Sequence, residues 1–147
     1  MLHVYEFEMF EEDGWFIVTP FDMEGATSGH DKKEAVAMAV DWLKTDMEHR
    51  AMHDIPLPNA TFDNTLQHGG ERLIVAVEAG KDTVPRTLPS EAARRLGVSP
   101  GRVSHMMRDG VLETFEDAGK TWVTQYSVDA RLVDPPKAGR PKRKTTT

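Results

Sequence analysis

The chain opens on a two-residue rhythm. In HVYEFEM (3–9), Tyr5, Phe7 and Met9 alternate with Glu6 and Glu8, the pattern of a strand with one apolar and one polar face. EEDG (11–14) ends in the Asp-Gly pair that favours tight hairpins. WFIVT (15–19) is apolar on both sides, as expected of a central strand. ATSG (26–29) supplies a short third strand. The period then lengthens: Ala35, Ala39, Leu43, Met47 and Ala51 recur every four residues, beside Val36, Val40 and Trp42. Asp41, Lys44, Thr45, Glu48 and His49 lie opposite, so the segment reads as an amphipathic helix. Asp31 and Glu34 have the spacing of a capping box at its start. DIPLP stops it, because proline disfavours helix at its own position and at the residue before it. RLIVAVE (72–78), after the Gly69-Gly70 turn, is a last strand. One sheet covered by one helix makes residues 1–80 an α+β domain.

GKDTVP (80–85) is the predicted linker to a second domain over 81–134. Within it, LPSEAARRLGVSPGRVSHMMRDG (88–110) fits two helices, 89–96 and 99–109, joined at Gly97-Val98. Ala93 is small where the helices cross, and Gly97 accepts the left-handed conformation of a tight turn. Ser99 is a good N-cap and Pro100 suits the first helical position. Leu96, Val98, Val103 and Met106 point inward. The outward face of the second helix carries Gly101, Arg102, Ser104, His105 and Arg108, with no acid before Asp109. Such donors suit base edges and phosphates, and the pattern is that of a helix-turn-helix. VLETFEDAGKTWVT then reads as strand, turn and strand: a wing with Lys120 at its tip. SVDARLV closes the domain as a short helix.

Charge divides the chain in the same place. The net charge of -6 over 147 residues conceals 16 acids against 5 bases in residues 1–80, a net of -11, and 13 bases against 8 acids beyond, a net of +5. Such asymmetry predicts modules with different partners. Much of the positive charge lies in a disordered basic tail, 135–147, with Lys137, Arg140, Lys142, Arg143 and Lys144. Its Gly139-Arg140-Pro141 core resembles an AT-hook, an extended arm for the minor groove. The absence of cysteine excludes disulfides, thiolate metal sites and cysteine nucleophiles. The start lacks the basic and apolar regions of a signal peptide, and no apolar run approaches the ~20 residues needed to cross a bilayer. A cytoplasmic protein without membrane contact is expected.

DGWFIVTPFDMEGATSGHDKKEAVAMAV resembles the N-terminal domain of HicB-family antitoxins. The matching positions are Gly14, Pro20, Gly25, Thr27, Gly29, Glu34 and Ala35, and IPLP (55–58) resembles the family's segment after the helix. The loop region GWFIVTPFDME is bulkier than the family's usual one. The resemblance covers roughly residues 3–80 and implies a partial ribonuclease-H-like fold that no longer cuts. It also implies a surface, here including Asp13, Trp15, Asp22 and Glu24, that covers a small basic mRNA-cleaving toxin of the HicA type. A net charge of -11 suits such a partner. Long members of the family carry a C-terminal DNA-binding domain and repress their own operon. A homodimer or higher oligomer is expected, because one short helix reads too few base pairs.

Two other readings stand beside this one. The chain is also compatible with a transcription regulator that has no toxin, whose acidic domain only oligomerises or senses a ligand. A residual metal-dependent nuclease ranks third: such chemistry needs acids converging on metal ions, and Glu6, Glu8, Asp13, Asp22 and Glu24 read as solvated surface or partner contacts. His49 and His53 have metal-ligand spacing but no third ligand, and read as surface histidines near a helix end. Met38, Met47, Met52, Met106 and Met107 read as core filler. No catalytic residue, metal or cofactor is expected.

Overall fold

The computed structural model describes residues 1–133, which form two compact units, Met1–Thr83 and a second beginning at Val84. The tail residues named above, Lys137, Arg140, Lys142, Arg143 and Lys144, lie outside the described residues. The architecture is mixed α+β, with four helices and two antiparallel sheets among the described residues.

The first unit runs β1 (Leu2–Glu12), β2 (Trp15–Pro20), β3 (Thr27–Gly29), α1 (Lys32–Met52) and β4 (Glu71–Glu78). Its sheet has the order β3-β2-β1-β4, so β2 is internal, and every pairing is antiparallel. Asp13 (φ 51°) and Gly14 (φ 81°) both take the left-handed region between Glu12 and Trp15. That is a two-residue turn whose twist matches the flanking strands.

Asp31 caps α1, its carboxylate accepting the Glu34 N–H at 2.8 Å. Glu34 returns the favour one residue earlier than a capping box requires, accepting the His30 N–H at 2.7 Å. Ala35, Ala39, Leu43 and Met47 are buried against Tyr5, Phe7, Met9, Val18, Val75 and Val77. Burial of a side chain such as Phe7 or Leu43 is worth about 1.5–3 kcal/mol. Small residues bring the helix close: a Cβ on Gly29 would strike the backbone of Glu34 and Ala35. Met38 and Val40 are exposed, so Met38 is not core filler, whereas Met47, Met52 and Met106 are buried.

The second unit contains β5 (Arg86–Thr87), α2 (Pro89–Leu96), α3 (Pro100–Arg108), β6 (Thr114–Asp117), β7 (Lys120–Thr124) and α4 (Gln125–Val133). Its sheet has the order β5-β7-β6. β5 lies just beyond the segment expected to be a plain linker, and Lys81–Thr83 within that segment form one 3-10 turn. Ala92, Ala93, Val103, Met106, Leu112, Val123 and Val128 make the core. Gly97 turns the chain from α2 to α3 at φ 68°, where a side chain would be strained. The Val98 N–H reaches the Ala93 carbonyl at 3.0 Å. Ser99 caps α3, its hydroxyl accepting the Arg102 N–H at 3.1 Å, and Pro100 opens the helix. Ala118 (φ 53°) and Gly119 (φ 76°) make a second tight hairpin between β6 and β7, with Asp117 opposite Lys120. Among the described residues no helix is long and apolar enough to cross a membrane.

Candidate functional site

In the second unit, α3 buries Val103 and Met106 and leaves Gly101, Arg102, Ser104, His105 and Arg108 exposed. Ser99 is exposed at its N-terminus, where the free N–H groups and the helix dipole favour anions. Three other arginines of this unit are engaged. Arg86 holds Asp117 at 2.7 Å and lies over the Phe115 ring, Arg94 holds Glu91 at 2.7 Å, and Arg95 holds Asp129 at 2.8 Å. The side chains of Arg102 and Arg108 have no hydrogen bond or ion pair among the described residues. Their charge is therefore available to a ligand. Lys120, exposed at the β6–β7 hairpin, has its ammonium 5.9 Å from the centre of the Trp122 ring. Gly101 leaves open space: a Cβ there would meet only the Ser99 hydroxyl, at 3.9 Å.

The four residues assigned to the acidic surface are placed differently from one another. Asp13 and Trp15 share the β1–β2 hairpin; Asp13 is exposed, and the Trp15 ring is 42% exposed and 4.1 Å from the His30 ring. Glu24 is exposed in the loop between β2 and β3. Asp22, in the same loop, is engaged within the unit, accepting the Thr61 N–H at 2.9 Å and its hydroxyl at 2.6 Å.

Glu6 and Glu8 correct the expectation of a solvated polar face. Both are 1% exposed. Because Tyr5, Phe7 and Met9 face α1, Glu6 and Glu8 point to the other side of the sheet, and residues 61–70 cover them. Glu6 accepts the Asp63 N–H (3.0 Å), the Asn64 N–H (2.8 Å) and the Asn64 side-chain amide (2.9 Å), with Arg72 at 3.6 Å. Glu8 accepts the N–H groups of Gln67 (2.7 Å), His68 (2.9 Å) and Gly70 (3.0 Å). The two carboxylates thus strap a long loop across the sheet. Glu48, also expected on a solvated face, is 8% exposed and holds Lys44 and the Thr83 hydroxyl. Alternation shows which side of a strand a residue faces; it does not show what covers that side.

Burial raises the pKa of Glu6 and Glu8, but the hydrogen bonds, with the Arg72 charge beside Glu6 and that of His68 beside Glu8, outweigh it and hold both below the ordinary carboxylate value. A depressed folded-state pKa contributes stability above the unfolded value and loses it as pH falls through the folded one. The amides of Asp63, Asn64, Gln67, His68 and Gly70 will therefore lose hydrogen-exchange protection as pH falls below the ordinary glutamate value, before the core does. Glu8→Gln should remove that dependence for Gln67, His68 and Gly70 alone. Equal pH dependence in the variant would disprove the assignment.

No family model and no curated protein matches the chain. Among solved structures it is similar to a toxin–antitoxin complex from Streptococcus pneumoniae, at 19% identity and a TM-score of 0.49, covering 75% of this chain and 99% of that one.

Proposed function

We propose that the chain is a DNA-binding transcription regulator of the HicB antitoxin kind. In this reading α2, α3 and the β6–β7 hairpin are a winged helix-turn-helix. The acidic unit is a partial ribonuclease-H-like domain that binds a small basic toxin. The exposed face of α3 carries the DNA reading: Arg102, Ser104, His105 and Arg108 stand clear of any carboxylate partner among the described residues. Ser99 and Lys120 would add phosphate contacts, and Arg140, Lys142 and Arg143 would follow the minor groove. The acidic unit would offer Asp13, Trp15 and Glu24, with Asp22 bracing the loop beside them. The chain is non-enzymatic in this reading: the carboxylates of Glu6 and Glu8 are occupied by backbone donors.

The test is duplex binding by the full chain at several salt concentrations. Removing 135–147 should weaken all sequences alike and flatten the salt dependence by roughly 4.5 if all five tail bases meet phosphates. Arg102→Ala should relax the choice of site with little change in the salt slope. If neither change alters affinity, the DNA reading fails. Affinity purification from the native host tests the other half: a small basic protein, lost when the first unit is deleted, identifies an antitoxin. Recovery of DNA without such a protein identifies a regulator that has no toxin.

A further inference from the structure

Strand β4 is the outer edge of the first unit's sheet. Its eight residues pair with β1 in unbroken register, from Glu78 opposite Leu2 to Glu71 opposite Met9. Along its other side, the backbone of Glu71–Glu78 has no backbone partner among the described residues. Soluble proteins protect such edges with proline, a bulge, an inward charge or brevity, or with charges along the edge. In β4 such charges stand only at its ends, Glu71, Arg72 and Glu78. Its middle has no such protection: Leu73, Val75 and Val77 point to the core, and the pairing holds no bulge. The opposite edge, β3, is only three residues long. The outer face of β4 is also apolar at its middle, where Ile74 is 63% exposed beside the exposed Ala76.

We propose that this edge pairs with β4 of a second copy of the chain, antiparallel about a two-fold axis through Val75. The sequence ERLIVAVE is self-complementary in that register. Arg72 of each copy lies opposite Glu78 of the other, Ile74 opposite Ala76, and Leu73 opposite Val77. Opposite charges and apolar pairs directly across a ladder each stabilise it, and like charges oppose it. A two-residue slip either sets Ile74 against Glu78 or leaves Glu78 unopposed, and a one-residue slip turns the apolar residues to the wrong face. Both charged groups remain partly exposed beside their present partners: Arg72, which donates to the Asn64 carbonyl in the covering loop, is 40% exposed, and Glu78, which accepts from the N-terminal amine, is 66% exposed. The product is one continuous eight-stranded sheet with isologous contacts. Self-pairing is favoured over a foreign strand because one strand supplies both members of every pair. The inference does not rest on the DNA reading.

Sedimentation equilibrium of the full chain at micromolar concentration tests it, with far-UV circular dichroism as the folding control. The wild type should run as two chains or an even multiple. Glu78→Arg, which sets two arginines opposed at each end, and Ile74→Lys should each halve that mass. Mixing the Glu78→Arg chain with an Arg72→Glu chain restores opposite charges at both ends and should restore the assembly. If Arg72→Glu disturbs the loop bonded to Arg72, Ile74→Lys still decides. A monomeric wild type, or folded Glu78→Arg and Ile74→Lys chains of unchanged mass, would overturn the proposal. So would a wild type that is monomeric alone but holds a different host protein that Ile74→Lys releases.

Discussion

A single methyl group at Gly70 will open the first unit's loop and lower its melting temperature by roughly 10 °C. The backbone of Gly70 lies so close to β1 that a Cβ would strike the Met9 carbonyl and come within 2.9 Å of the Phe10 Cβ. Neither can swing aside, since both belong to a strand paired on its two sides. The chain at 70 must retreat, and its N–H then loses the Glu8 carboxylate. Overpacking of this kind costs about 1–3 kcal/mol. In a unit of this size each kcal/mol shifts the midpoint by about 4–8 °C. Gly69→Ala is the control. Its φ of 66° strains any side chain, but no atom lies within 4 Å of the added carbon, so the cost should stay near 1–2 kcal/mol. Calorimetry of the full chain should show the first transition moving further in Gly70→Ala than in Gly69→Ala. Equal shifts would mean that close approach to β1 does not matter.

Replacing Arg102 and Arg108 together by alanine should reduce affinity for duplex DNA by about two orders of magnitude or more. An arginine on a base edge contributes about 1–3 kcal/mol of discrimination. Because both side chains are exposed and without an ion pair among the described residues, their loss should change folding stability by less than about 0.5 kcal/mol. Arg95→Ala behaves differently: it breaks the Asp129 pair and should affect stability slightly and DNA little. The comparison is a titration of labelled duplex against each purified variant, with thermal melts alongside. An unchanged affinity in the double variant would remove α3 from the interface.

The elements legible in the sequence were those written in local chemistry. Asp31 and Glu34 marked the start of α1 because capping acts over three residues. Asp13-Gly14 and Ala118-Gly119 marked hairpins because their φ angles are a local demand. Gly97, Ser99 and Pro100 described the turn from α2 to α3 for the same reason. Long-range partners left no such mark. Glu6 and Glu8 read as an ordinary polar face, and the donors that bury them lie near residue 65, in a loop whose composition suggests only solvent. Asp22 read as a free surface acid, and Thr61 lies 39 positions away. β5 is two residues long, too short for any period to show, and exists because β7 offers it an edge. One signal for the strap was present: Gly69-Gly70 before a strand suggests a close backbone approach as well as a turn. On the α3 face, local pattern was enough to nominate residues. Their lack of ion pairs could be read only once Glu91, Asp117 and Asp129 had been seen holding other arginines.

The strap has a consequence for how the chain is made. The first strand leaves the ribosome before its partners, and its acceptors at Glu6 and Glu8 wait for donors about 60 positions downstream. Its β4 partner arrives later still, since Leu2 pairs with Glu78. Until then β1 has only β2 beside it, one bare edge, and carboxylates facing nothing but water. Contacts so distant in sequence are slow to form, whereas α2 and α3 meet across a single turn. Completion of the first unit is thus tied to translation reaching the residues beyond 78, and a pause just before that point would prolong the exposure of β1.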